Sequence, residues 1–141
     1  MTLEKVLYRT HATATGGRNG HAVIPENNMR FTLSEPHQAG SGNSTKTNPE
    51  QLFAAAYSAC FLGAMKFVAA RDNIEMPADA KVDAHIALGP VVGGFGIEAE
   101  LKVSLPRMDR HTARSLIDNA DFVCPYSNAT RGNVKVTLTL V

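Results

Sequence analysis

Apolar residues recur along this chain with two different periods, and each change of period marks an element. From Leu3 to Ala14 they alternate with polar residues in the two-residue rhythm of a strand, and Gly16-Gly17-Arg18-Asn19-Gly20 follows as a turn before Ala22-Val23-Ile24. The pattern predicts a hairpin with Arg18 at its tip, then a third short strand over Met29 to Leu33. Ser34 to Thr47, rich in Gly, Ser, Thr and Asn, reads as a long loop. Asn48-Pro49-Glu50-Gln51 opens a helix: Asn48 suits the cap, Pro49 the first helical position and Gln51 a capping box. That helix is expected to run to about Asp72, and its body from Leu52 to Met65 is apolar nearly all round, the mark of a helix buried on most sides. Its small residues, Ala54, Ala55, Ala56, Ala59, Gly63 and Ala64, allow another backbone to approach closely, from this chain or a second copy. It reads as too short and interrupted to span a membrane.

The two-residue period returns at Val82, Ala84, Ile86 and Leu88, turns at Gly93-Gly94, and resumes from Ile97 to Leu105. Asp109 is placed to cap a helix through Ala113, Leu116, Ile117 and Ala120, ending near Cys124-Pro125, and a last strand runs from Val134 to Leu140. The order β-β-β-α-β-β-α-β predicts one α+β domain over residues 1–141, with curved sheet wrapped around a long central helix.

Composition narrows the function. The 141 residues carry 14 Lys and Arg against 13 Asp and Glu, with no long run of either sign, so nucleic acid and acidic membrane surfaces are not expected partners. The first residues lack the apolar stretch of an export signal, so the expected location is cytoplasmic. There a purely structural disulfide is disfavoured, and if Cys60 and Cys124 pair, the pairing is functional. They stand 64 positions apart, so only the fold can bring them together.

Cys60 on its own fits a small buried hydrophobe, and Cys124, at the start of a polar run from Pro125 to Asn133, fits a shaped loop better than a core. A buried thiol becomes a nucleophile only if a cation offsets its desolvation. Arg18, flanked by glycine, is the candidate cation, and Glu50 the carboxylate that could orient it. An exposed turn arginine and a first-turn glutamate favoured by the helix dipole are the simpler readings of the same residues. Ten residues separate Glu50 from Cys60, about 15 Å along a straight helix, so direct contact between them within one helix is excluded. No His or Cys pair has the spacing of metal ligands, and no metal or bound cofactor is expected.

Three blocks together resemble the organic hydroperoxide resistance proteins of the wider OsmC group. They are Thr15-Gly16-Gly17-Arg18, the stretch Thr47-Asn48-Pro49-Glu50-Gln51-Leu52-Phe53-Ala54-Ala55 leading to Tyr57-Ser58-Ala59-Cys60-Phe61, and Val123-Cys124-Pro125-Tyr126-Ser127-Asn128-Ala129-Thr130-Arg131-Gly132-Asn133. Ala56 stands where glycine is expected and Asn19 where aspartate is common. The resemblance implies an intertwined homodimer with sites at the subunit interface, Cys60 as peroxidatic and Cys124 as resolving cysteine, and Arg18 and Glu50 as their charged partners. It also implies alkyl and fatty-acid hydroperoxides as substrates, and recycling by the dihydrolipoamide of lipoylated proteins. Phe53, Tyr57, Phe61 and Phe67 are candidates for an apolar substrate pocket, each equally able to be core. A redox sensor or lipid-binding module using the same thiols, and a structural dimer with inert thiols, are the competing readings.

Overall fold

A strand persists only as far as it has an edge to pair with, and this sets the first sheet. The computed structural model describes residues 1–36 and 45–141, and the chain divides into two compact units, residues 1–49 and 50–141. In the first, β1 (Thr13–Thr15), β2 (His21–Ile24) and β3 (Met29–Thr32) form an antiparallel sheet in that order. The alternation from Leu3 to Ala14 therefore yields strand only at its end. Because β2 stops at Ile24, where a 3-10 turn begins at Pro25, Thr13 opposite Val23 is the last paired position. Arg18 does sit at the hairpin tip, in a 3-10 turn over Gly17–Asn19. Gly20 closes this turn, and a Cβ there would fall on the Thr15 carbonyl oxygen, so no other residue fits. Of the expected loop over 34–47, residues 37–44 lie outside the described residues. Its ends meet in a single bridge between Leu33 and Thr47.

The second unit opens with α1 (Pro49–Arg71), the helix expected from Asn48-Pro49. At 23 residues it is long and apolar enough, by length and composition, to cross a membrane, which corrects the expectation that it is too short. In the structure one stripe of it, Tyr57, Phe61, Met65 and Val68, is buried in the unit's core. β4 (Lys81–Val91) and β5 (Gly94–Ser104) form the expected long hairpin, and Gly93, at φ +83°, supplies the left-handed residue of its turn. Ala99, Leu101 and Val103 of β5 face the core at every second position.

Asp109 accepts the Thr112 N–H at 3.0 Å and caps α2 (Arg110–Val123), a bond worth about 1 kcal/mol in caps of this kind. The polar run after Cys124, expected as loop, is instead a third helix, α3 (Pro125–Thr130). Pro125 both ends α2 and occupies the first position of α3, where its missing N–H costs nothing. β6 (Val136–Leu140) then returns beside β5 in parallel, completing a sheet of order β4-β5-β6. The whole is α+β, with two three-stranded sheets and one long helix.

Candidate active site

Two helix positions 64 residues apart in sequence converge at the thiols. Cys124 continues the buried stripe of α2, Ala113, Leu116, Ile117 and Ala120, by one more turn, and its own exposure is 0%. It is also the junction of two helices: its N–H donates to Ala120 O at 2.8 Å, ending α2, and its carbonyl accepts from Asn128 N at 2.9 Å, starting α3. Cys60 lies at the edge of the α1 stripe, three residues after Tyr57, and is only partly buried. The expected environments are thus exchanged, with Cys124 in the core and Cys60 the more accessible. The phase of α2 carried the signal for Cys124.

The Cys124 thiol donates to Cys60 Sγ across 3.7 Å, and both cysteines are free. Burial pushes the Cys60 thiol up from its ordinary range; the Tyr126 backbone N–H, bonded to its sulfur, pulls it down, and the proximity of Cys124 pushes it up again. Left to these surroundings, Cys60 would be a poor nucleophile at neutral pH.

Around the pair, Phe53, Tyr57 and Tyr126 form an aromatic cluster. Phe53 stacks on Tyr126 with ring centres 6.0 Å apart, and Tyr57 stands tilted against both, at 5.7 Å and 5.8 Å. The four candidate pocket residues are not gathered together. Tyr57 and Phe61 are turned into the core and Phe67 is 61% exposed, about 21 Å along α1 from Phe53. Tyr126, Ser127 and Thr130 were not foreseen. Tyr57 Oη lies 2.9 Å from Ser127 Oγ and 3.3 Å from Thr130 Oγ1, both buried on α3. At the far end of α3, Arg131 bonds Asn128 Oδ1 at 2.6 Å and the Asp121 carbonyl at 2.7 Å, staking α3 to α2.

Arg18 belongs to the first unit and Glu50 to the opening turn of α1. Glu50 is ten residues before Cys60 on the same continuous helix, so the axial separation of about 15 Å stands. Among the described residues no group of three or more His, Cys, Asp and Glu side chains gathers as a metal site would require.

Residues 40–139 match the family described as OsmC-like protein. The organic hydroperoxide resistance protein of Xanthomonas axonopodis pv. citri is 53% identical over 97% of this chain and 96% of its own length. The crystal structure of OhrB, the organic hydroperoxide resistance protein of Bacillus subtilis, superposes with a TM-score of 0.87 at 42% identity, covering 96% of this chain and 100% of that one. That of the organic hydroperoxide resistance protein from Elizabethkingia anophelis gives 0.86 at 44% identity, covering 96% and 97%. With this sequence agreement along nearly all of its length, the chain belongs to the OsmC-like family, among the organic hydroperoxide resistance proteins.

Proposed function

We propose that the chain is a thiol-dependent peroxidase that reduces organic hydroperoxides to alcohols, in defence against oxidative stress in the cytoplasm. The observation that carries this reading is the 3.7 Å approach of Cys60 and Cys124, two cysteines that only tertiary structure brings together. The names of the relatives supply the substrate class.

In the cycle, the Cys60 thiolate attacks one peroxide oxygen. The O–O bond breaks, the alkoxide leaves as alcohol after taking a proton, and Cys60 is left as sulfenic acid. The Cys124 sulfur then attacks Cys60, forming the S–S bond and releasing water. A dithiol, for which we propose the dihydrolipoamide of a lipoylated protein, reduces the disulfide and is itself oxidised to the cyclic disulfide, so no bound cofactor is needed. The half-buried Phe53 and Tyr126 rings offer the apolar surface that a greasy hydroperoxide prefers over hydrogen peroxide, while Tyr57 behind them is fully buried. Arg18 is assigned the cation that offsets the burial of Cys60, and Glu50 the carboxylate that orients it.

Steady-state consumption of tert-butyl hydroperoxide with dihydrolipoamide is the direct test. Sustained turnover, well above that with hydrogen peroxide, is expected; a single stoichiometric oxidation followed by arrest would replace the enzyme with a redox sensor.

The protein is also assigned a homodimer. Ala55, Ala59 and Gly63 form an exposed, small-residue line along α1 at four-residue spacing, open to a second backbone. Since Glu50 cannot reach Cys60 along its own helix, the dimer reading has each site drawing on both chains. Mixing Glu50→Ala chains with Cys60→Ser chains is expected to restore part of the activity that each lacks alone. No recovery after verified exchange of subunits would return every site to a single chain.

A further inference from the structure

Electron flow through the two sulfurs leaves the buried hydroxyls beside them unused. One proton assignment satisfies all three: Ser127 Oγ donates to Tyr57 Oη at 2.9 Å, Tyr57 Oη to Thr130 Oγ1 at 3.3 Å, and Thr130 Oγ1 to the Tyr126 carbonyl at 2.9 Å. The placement is symmetrical about the thiols. Tyr57 is three residues before Cys60 on α1, and Ser127 is three residues after Cys124 at the start of α3, so each anchor sits one turn from a sulfur. On the side of α3 away from α1, an open pocket of about 160 Å³ lies beside Ser127 and Thr130, lined also by Asp121, Arg131, Val134, Val136 and Leu138, so packing there leaves room. The hydroxyl chain joins the Tyr126 amide on the Cys60 sulfur and the Phe53–Tyr126 stack in tying α3 to α1 across the site.

We propose that the Tyr57–Ser127–Thr130 hydroxyl chain positions Cys124 for the resolving step, and so decides whether the Cys60 sulfenic acid becomes a disulfide or is oxidised further. The proposal rests on the peroxidase reading above. Two reactions compete for that sulfenic acid. In one, Cys60–SOH and Cys124–SH give the disulfide and water, at a rate independent of peroxide. In the other, Cys60–SOH and a second hydroperoxide ROOH give Cys60–SO₂H and ROH, at a rate proportional to peroxide. A disulfide bond is about 2.05 Å long, so the sulfurs must close by roughly 1.7 Å from their present 3.7 Å. With the anchor cut, α3 keeps its Tyr126 contacts to α1 and its Arg131 bonds to α2 but loses its hydroxyl tie, and the fraction poised for closure is expected to drop.

Tyr57 and Ser127 are therefore positioning residues, read through the product ratio. Tyr57→Phe and Ser127→Ala each delete one oxygen. Purified variants are treated with rising tert-butyl hydroperoxide without reductant, and mass spectrometry counts disulfide against sulfinic acid on Cys60. The peroxide concentration giving equal amounts is expected to fall about tenfold in both variants, while the initial rate of Cys60 oxidation stays within about twofold of the native protein. Ser127→Thr, whose extra methyl has the neighbouring cavity to enter, is expected to restore the native ratio. Should Tyr57→Phe lose the fold, Ser127→Ala reads the same anchor from the other side. A native product ratio in folded hydroxyl-deleted protein overturns the proposal while leaving the peroxidase intact. Native protein that forms neither product with peroxide overturns both.

Discussion

Cys60→Ser is expected to abolish consumption of alkyl hydroperoxide, by on the order of 10³-fold or more, with the fold retained. The replacement is nearly isosteric and the site is only partly buried, so little packing is lost. What disappears is the polarisable thiolate, since a serine hydroxyl is not ionised near neutral pH and makes no sulfenic acid. Steady-state peroxide assays beside a thermal melt check it: a folded Cys60→Ser protein with more than about a tenth of native activity would assign the chemistry elsewhere. The same thiolate fixes the sign of the pH dependence. Burial, followed by the neighbouring Cys124, outweighs the Tyr126 amide and holds the thiol above its ordinary range, so the attacking species grows as pH rises. Removing the proposed counter-charge with Arg18→Ala is expected to move the rise in rate to higher pH; an unmoved profile would take that role from Arg18.

Phe61→Ala carries the largest expected cost in stability, about 3–5 kcal/mol. Phe61 is fully buried where α1 meets the β5 and α2 stripes, among Tyr57, Met65, Leu101, Leu116 and Ile117. Truncation to Ala there removes most of an aromatic side chain from a region closed by three elements, so the void cannot collapse without dragging a strand or helix. Equilibrium denaturation at fixed protein concentration measures it. A loss below about 1 kcal/mol would mean that the core around α1 is more pliant than its burial indicates.

Much of this architecture was legible in the sequence where local chemistry agreed with tertiary need. Asn48-Pro49 announced α1, Asp109 announced α2, and the alternation on either side of Gly93 announced the β4–β5 hairpin. The failures have identifiable causes. Leu3 to Ala14 has strand rhythm, yet pairing depends on a neighbouring edge, and β2 offers one of four residues. α3 has no apolar period to betray it, and Pro125, read as a stop, is equally a start. The convergence of Cys60 and Cys124 has no local signature at all, since nothing in their immediate neighbours records a contact 64 positions away. The resemblance supplied that pairing, because recurrent motif blocks carry information about fold that periodicity does not. Ser127 and Thr130 were hidden for another reason: small hydroxyl residues in a polar run read as solvated until the fold buries them against Tyr57.

The thiols already stand at 3.7 Å while both are free, and this has a thermodynamic counterpart. In an unfolded chain two groups 64 residues apart meet rarely, whereas here each thiol sees the other at a high effective concentration that the fold alone maintains. By linkage, whatever free energy the native packing contributes to holding the sulfurs together, the disulfide returns to the native packing. In the proposed cycle, core residues that never touch a peroxide would therefore help to set the redox potential of the pair, and with it how strong a reductant is needed to reopen it.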